Sequence, residues 1–284
     1  LITGYMTAYH PSQPKNEWSS DPWQMRFDRF TPDGVVFFRP DGIPNWQERT
    51  MPVPARFYSA HFCFTLGTFC EEVPHDPRYY FHGEEITIGV RAYTHGYDLF
   101  HSHEVVCYHE FSRDYRPDKH WDNYNKITQH NQETYKLMRG LLGIDGESLS
   151  KKETYGTYGL GDKRTIADWE QYAGVRFNDR SVKQPTINGE LPPVDKELSF
   201  SRIFKHCIDM HKDVLKDIDF VAIILKDKDG NDLHRQDYTA DEIASFTNGT
   251  NVNLWIEAPV TAQPAEWIVW PNDGEWLEVQ SGTL

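Results

Sequence analysis

Between Glu72 and Phe111 the chain reads EVPHDPRYYFHGEEITIGVRAYTHGYDLFHSHEVVCYHEF, which sets Asp76, Glu84 and Glu85 beside His75, His82, His95, His101, His103 and His109. Carboxylates and imidazoles move protons near neutral pH and ligate divalent cations, so acid and imidazole meeting in one cleft would supply either chemistry. A loop carboxylate just ahead of a helix can project into a cleft while the helix body packs on a sheet. A histidine on a later strand, such as His109 in CYHEF, can bind a cation through a neutral ring nitrogen. The same composition also describes an exposed, pH-titrating surface. Glu84 and Glu85 moreover have a purely structural reason to stand in a helix's first turn, the positive end of the helix dipole.

The elements that must position these groups can be read around them. EEITIGVRAYTHG carries Ile86, Val90 and Tyr93 at helical spacing behind an acidic first turn, which predicts a helix stopped by Gly96. YDLFHS and EVVCYHEF read as two short strands, and HWDNYNKITQHNQETYKLMRGLLG as a long helix closed by Gly143. Residues 1 to 60 are short apolar runs separated by HPSQP, TPDG and RPDGIPN, hence strands and long loops, with a strand at Val35 to Phe38 between two Asp-Gly turns. Arg56 to Cys70 reads as a largely buried strand or short helix with Gly67 as a local breaker. A short helix is expected from Thr165 to Gly174. Ahead of it, Gly156, Gly159 and Gly161 are spaced GxxGxG rather than GxGxxG, with no clear preceding strand, which favours a structural turn over a phosphate loop.

Toward the C-terminus a Pro-bearing connector leads into SRIFKHCIDMHKDVLK, predicted as an amphipathic helix, and then into DFVAIILKDKDGNDLHRQD, NVNLWIEA and EWIVWPNDGEWLEVQ, predicted as a small antiparallel β-sandwich. His206 and His211 are five apart and share no helix face, so they make no metal pair. Asp227-Lys228-Asp229 matches a metal-binding DxD, and DKDGND the start of a calcium loop. Tyr238 would then stand where a bidentate Glu is needed, so a hairpin turn is the better reading. The fold class is therefore α/β, divided as 1–182, a linker and helix over 183–215, and a β-sandwich over 216–284.

Composition narrows the partners. A formal net charge of -14 with no clustered Lys and Arg excludes a nucleic-acid partner, which needs a basic face to release counterions. No apolar run approaches the ~20 residues that cross a bilayer, and no leader pattern opens the chain, so no membrane is expected. Cys63, Cys70, Cys107 and Cys207 form no CxxC pair and are expected reduced and mostly buried. Aromatic residues make up 14% of the chain, a level that suits both plain cores and faces that stack on sugar rings.

EVPHDPRYYFHGEEITIGVRAYTHGYDLF, VVCYHEFSRDYRP, LLGI and YGTYGLGDKRTIADWEQYAGVRF, long motifs in order over about residues 1 to 180, closely resemble the polypeptide N-acetylglucosaminyltransferases that attach GlcNAc in α-linkage to hydroxyproline on a cytoplasmic ubiquitin-ligase subunit. That resemblance implies a GT-A type fold, a UDP-sugar donor, a protein or peptide acceptor, a divalent metal (commonly manganese), retention of anomeric configuration and a cytoplasmic setting. The family is also similar to the mucin-type polypeptide GalNAc transferases, in which a Gly-Glu motif follows the metal-binding DxH and a later histidine completes the metal site. By that similarity Glu84 stands beside the donor sugar with Glu85 next to it, and His109 becomes the third metal ligand. Asp76, His82, Gly83, Arg91 and Trp121 are then the candidate substrate contacts. A metal there would neutralise the departing diphosphate as a Lewis acid, and a carboxylate near the anomeric carbon would position the donor or stabilise an oxocarbenium-like state.

One departure stands out, because no DxH or DxD precedes residue 72 and the chain opens at Leu1 directly in LITGYM. The sequence thus reads as the C-terminal portion of a GT-A-like domain followed by the β-sandwich, with weak metal binding. The alternative class is a non-catalytic carbohydrate- or protein-binding module. On the first reading this polypeptide alone performs no transfer; a turnover assay with UDP-GlcNAc, manganese and acceptor peptide checks this, and sustained transfer would contradict it.

Overall fold

A computed structural model of the chain describes residues 1–112, 124–147 and 154–284, with side chains left aside over 124–129. The chain divides into two compact units, one of Leu1–Asp28 with Asp33–Phe200 and one of Arg29–Pro32 with Ser201–Leu284. Among the described residues no helix is long and apolar enough to cross a membrane.

The first unit is mixed α/β. Strand β1 (Ile2–Thr3) runs parallel to β7 (Phe100–His101), with Thr3 opposite His101, and β5 (Val53–Pro54) and β6 (Cys63–Phe64) flank this pair antiparallel in the order β5-β7-β1-β6. The same two chain segments pair again as β2 (Thr7–Tyr9) beside β8 (Tyr108–Glu110), which sets Ala8 opposite His109. Parallel neighbours need a long crossover, and here the crossover carries the site. It holds the two-stranded sheet of β3 (Trp23–Phe30) and β4 (Val36–Gly42) and the helices α1 (Gly67–Glu72) and α2 (Glu84–Thr94).

Helix α2 forms where the sequence predicts it and stops at Gly96, which takes the left-handed conformation at φ 94°. Ile86, Thr87, Ile88, Gly89, Val90, Arg91, Ala92 and Thr94 are all buried, so the helix is covered nearly all round, with Ile88 and Ala92 in a cluster with Ala55, Tyr58, Phe69, Val73 and Leu99. Arg91, on this helix, is 1% exposed and donates from Nε to the Gly159 carbonyl (3.2 Å), from one terminal nitrogen to Pro74 O (2.7 Å) and from the other to Thr157 O (3.2 Å). It therefore ties α2 to the loop before it and to the glycine-rich segment far along the chain. Gly161 lies so close to the end of α2 that a Cβ would come within 2.5 Å of the Thr94 carbonyl, and its N–H donates to Thr94 Oγ1. The GxxGxG run is thus a structural turn folded onto α2.

Helix α3 (Tyr124–Leu142) ends at left-handed Gly143 (φ 74°), and α4 (Ile166–Ala173) opens with a capping box between Thr165 and Asp168 and closes at left-handed Gly174 (φ 67°). After the antiparallel pair β9 (Val175–Arg176) and β10 (Ser181–Val182), a single turn α5 (Gln184–Ile187) follows with Pro185 in its first turn.

The second unit departs from the sequence reading at its first element. Ser201–His211 is a strand, β11, followed by a 3-10 turn over Lys212–Leu215, where an amphipathic helix was expected. Its apolar residues Phe204 and Ile208 are four apart, which satisfies a helix face and one side of a strand equally; pairing of Ile203 to His211 with β15 (Asn251–Pro259) decides for the strand. His206 and His211 then point to opposite faces. Strand β12 (Phe220–Lys226) pairs with β13 (Asp232–Thr239) on one side and β16 (Glu266–Asn272) on the other, with β17 (Gln280–Thr283) beyond β16. The β12–β13 turn is held by Asp227, whose Oδ1 accepts from the N–H groups of Asp229 and Asn231. Helix α6 (Ala240–Ser245) and the two-residue strand β14 (Thr247–Asn248) lead into β15, and one core takes inward residues from β11, β12, β13, α6, β15 and β16.

Two smaller expectations also fail. The four cysteines form no disulfide, but none is buried. Arg56–Ser59 are buried, whereas Phe64 (68% exposed) and Leu66 (73%) are not, and Gly67 begins α1 instead of breaking an element. Replacing Arg91 by Met removes three part-buried hydrogen bonds and is expected to lower unfolding free energy by about 2 kcal/mol or more, as read from urea midpoints. An unchanged midpoint would show that the clamp is dispensable.

Candidate functional site

One cavity of about 290 Å³ opens in front of the first turn of α2, lined by Tyr5, Met25, Val36, Phe37, Phe38, Ala60, His61, Phe81, His82, Glu84, Glu85 and Phe111. Its size stands near the ~300 Å³ lower end of small-ligand sites. The aromatic wall is continuous on one side. Tyr5 lies 4.3 Å from the His61 ring and is stacked on Phe111 at 5.8 Å with 8° between planes. On the other side His82, held in the left-handed region at φ 63°, sets its ring 4.6 Å from Phe37 and 4.1 Å from Phe81. A non-glycine residue in that conformation costs energy that its surroundings must offset, here through ring contacts at the cavity edge.

The two carboxyl groups are the polar floor. Glu84 accepts from the Gly83 N–H through Oε2 at 2.9 Å, and Glu85 accepts from the Ala60 N–H through Oε1 at 2.7 Å. Both titrate above the usual carboxylate range because burial penalises the charge, although the accepted N–H bonds pull the other way. Glu85 is pushed up to about 7, with the Glu84 charge adding to the burial effect. The positive end of α2, worth ~0.3–1 kcal/mol to an exposed acid, does not overcome that. A fully solvated cap would leave both groups in the ordinary carboxylate range, whereas these two are partly withdrawn from water.

The other sequence candidates divide. His82 joins the cavity. Gly83 caps α2, and a Cβ there would meet Thr134 Cγ2 at 2.8 Å, so its part is to let α2 and α3 approach. Asp76 is turned away and engaged by Arg78, whose Nε is 2.8 Å from Oδ1. Arg91 is engaged by carbonyls, as described above, and neither residue lines the cavity. Trp121 lies outside the described residues. His109 stands one ring behind the wall, stacked on His61 at 4.7 Å and tilted 4.2 Å from Phe111. His101 is fully buried core: its Nε2 accepts from Met25 N–H, its Nδ1 faces Thr3 O, and burial lowers it to about 4. His75 faces Tyr58, and His95 bonds the Arg91 carbonyl.

Among the described residues no group of three or more His, Cys, Asp or Glu side chains could hold a metal ion. Among the described residues, where His109 packs against rings, the groups present do not make the manganese site that the resemblance implies, and no step below runs through a metal.

A family model described as Glycosyltransferase (GlcNAc) matches residues 1–179, more than half of the chain and every residue that lines the cavity. The chain belongs to this glycosyltransferase family. No curated protein and no solved structure matches it. Membership of a GlcNAc glycosyltransferase family implies a sugar donor and an acceptor in general.

Sequence reasoning missed Tyr5, Phe37, Phe38, His61 and Phe111 as lining residues. They come from four places along the chain, and the available signal was only that the aromatic residues share segments with polar ones. Because burial raises Glu85, its penalty is absent below the unfolded value of 4.5, where both states are protonated. It grows as pH rises toward about 7 and is complete above that. Relative to Glu85→Gln, the wild-type chain should therefore lose about 2 kcal/mol of stability between pH 4.5 and 8, allowing for partial exposure. Urea unfolding at the two pH values checks this, and parallel profiles would contradict it.

Proposed function

We propose that the first unit is the sugar-binding end of a retaining, GT-A-like glycosyltransferase, followed by a β-sandwich, that moves GlcNAc or a related sugar from a UDP-sugar to a hydroxyl of a protein or peptide in the cytoplasm. The observation that carries this reading is the adjacent pair Glu84 and Glu85 on the floor of an aromatic-walled cavity inside the family-matched stretch.

The chemistry follows from the residues. The faces of Tyr5, Phe37, Phe81 and Phe111 receive the apolar side of a sugar ring. Glu85, half-protonated near neutral pH, donates to one sugar hydroxyl in its acid form or accepts from one as carboxylate, and so fixes the ring's rotation in the cavity. Glu84 holds the Gly83 N–H with one oxygen and directs the other to the anomeric carbon, where negative charge stabilises the developing oxocarbenium character. Exclusion of water by the aromatic wall strengthens that interaction and keeps hydrolysis from competing.

Glu84→Gln keeps shape and removes the charge. In the longest gene product that contains this chain, it should lower transfer from UDP-GlcNAc to a peptide acceptor by about 100-fold or more with an unfolding midpoint no lower than that of the wild type, since the buried charge is removed. Transfer at the wild-type rate would remove Glu84 from the chemistry. Binding of sugar without any transfer by the wild-type protein would favour the non-catalytic reading.

A further inference from the structure

The second unit carries a surface that the sugar-transfer reading does not use. On the outer side of β12, Ala222 sits opposite Trp270 of β16 and opposite Asp237 of β13, and its small side chain is fully covered. Trp276, from the loop after β16, lies 4.6 Å from the Trp270 ring and meets Phe220 edge-on at 5.3 Å, yet remains 42% exposed. The loop is anchored: Trp270 Nε1 donates to the Leu277 carbonyl at 3.1 Å, and Leu277 N–H to Pro271 O at 3.0 Å. Arg235 completes the edge, with its guanidinium 5.6 Å from the Trp276 ring centre and bonded through two nitrogens to Asp237 at 2.8 and 3.1 Å. Both members of that pair are half exposed.

We infer that this platform of Trp270, Trp276 and Phe220, edged by Arg235 and Asp237, is a binding site for a neutral glycan, separate from the cavity before α2. Two indoles held in place by backbone bonds offer flat apolar area without ordering cost, which is what the faces of pyranose rings require. A planar guanidinium and a carboxylate side by side supply donors and acceptors to neighbouring hydroxyls. Charge selects among occupants. The Trp276 loop also bears exposed Asp273, Glu275 and Glu278, and the chain carries a net charge of -14, so acidic glycans, nucleic acid and a second copy of the chain are repelled where a neutral sugar is not.

Native affinity electrophoresis of the full chain through gels containing β-glucan, galactomannan, xyloglucan or glycol chitin tests this. At least one of these neutral polymers should retard the wild-type chain. Trp276→Ala should weaken that retardation about tenfold or more, a decade being about 1.4 kcal/mol. Trp276→Phe, which keeps an aromatic face, should retain most of it, and Trp255→Ala, on the β15 strand, should leave it intact. Unfolding midpoints identify any variant that fails to fold. No retardation by any polymer, retardation undiminished in Trp276→Ala, or a dimer in sedimentation that Trp276→Ala dissolves would each overturn the assignment.

Discussion

The site depends on keeping two carboxyl groups at the start of α2 while partly withdrawing that turn from water. A shift of the Glu85 carboxyl from 4.5 to about 7 corresponds to roughly 3 kcal/mol against its charged form, several times what a helix dipole returns. Something must hold α2 there against this cost. The apolar shell around Ile88 and Ala92 contributes, and so does Arg91, whose guanidinium donates to carbonyls of Pro74, Thr157 and Gly159. Pro74 lies in the long crossover just ahead of α2, whereas Thr157 and Gly159 return to the helix from beyond β8.

From that constraint the division of labour follows. Residues that fix α2, namely Arg91, Gly83 and Gly161, sit behind or beside it; those that face the cavity, Glu84, Glu85, His61 and His82, meet aromatic walls from β4 and from the end of β8. Membership of the GlcNAc glycosyltransferase family covers both groups. Strand β8 brings His109 up against the wall without opening it to the cavity, and the chemistry proposed for the floor needs only the carboxyls, the rings and exclusion of water.

Helices with a written start and stop were legible: Gly96 and Gly143 end α2 and α3, and Thr165, Asp168 and Gly174 bound α4 through local bonds that a short stretch of sequence fully contains. Strand β11 was not, since Phe204 and Ile208 at a spacing of four fit two periods and only the pairing with β15 selects one. The same limit governed the site. Glu84, Glu85 and His82 share one motif and were found together, whereas the carbonyl partners of Arg91, up to 68 residues away, could not be read from its own motif. His61 and Tyr5 gave no chemical signal at all, for the cavity wall is a product of packing and has no spacing rule.

The most direct test of the account is a 13C NMR titration of the Glu84 and Glu85 carboxyl carbons, with and without UDP-GlcNAc. The account predicts a Glu85 midpoint near 7, Glu84 also above the ordinary value, and both resonances displaced when the nucleotide sugar is added. Midpoints near 4.5 that do not respond to the sugar would show two solvated surface acids, and the site described here would not exist.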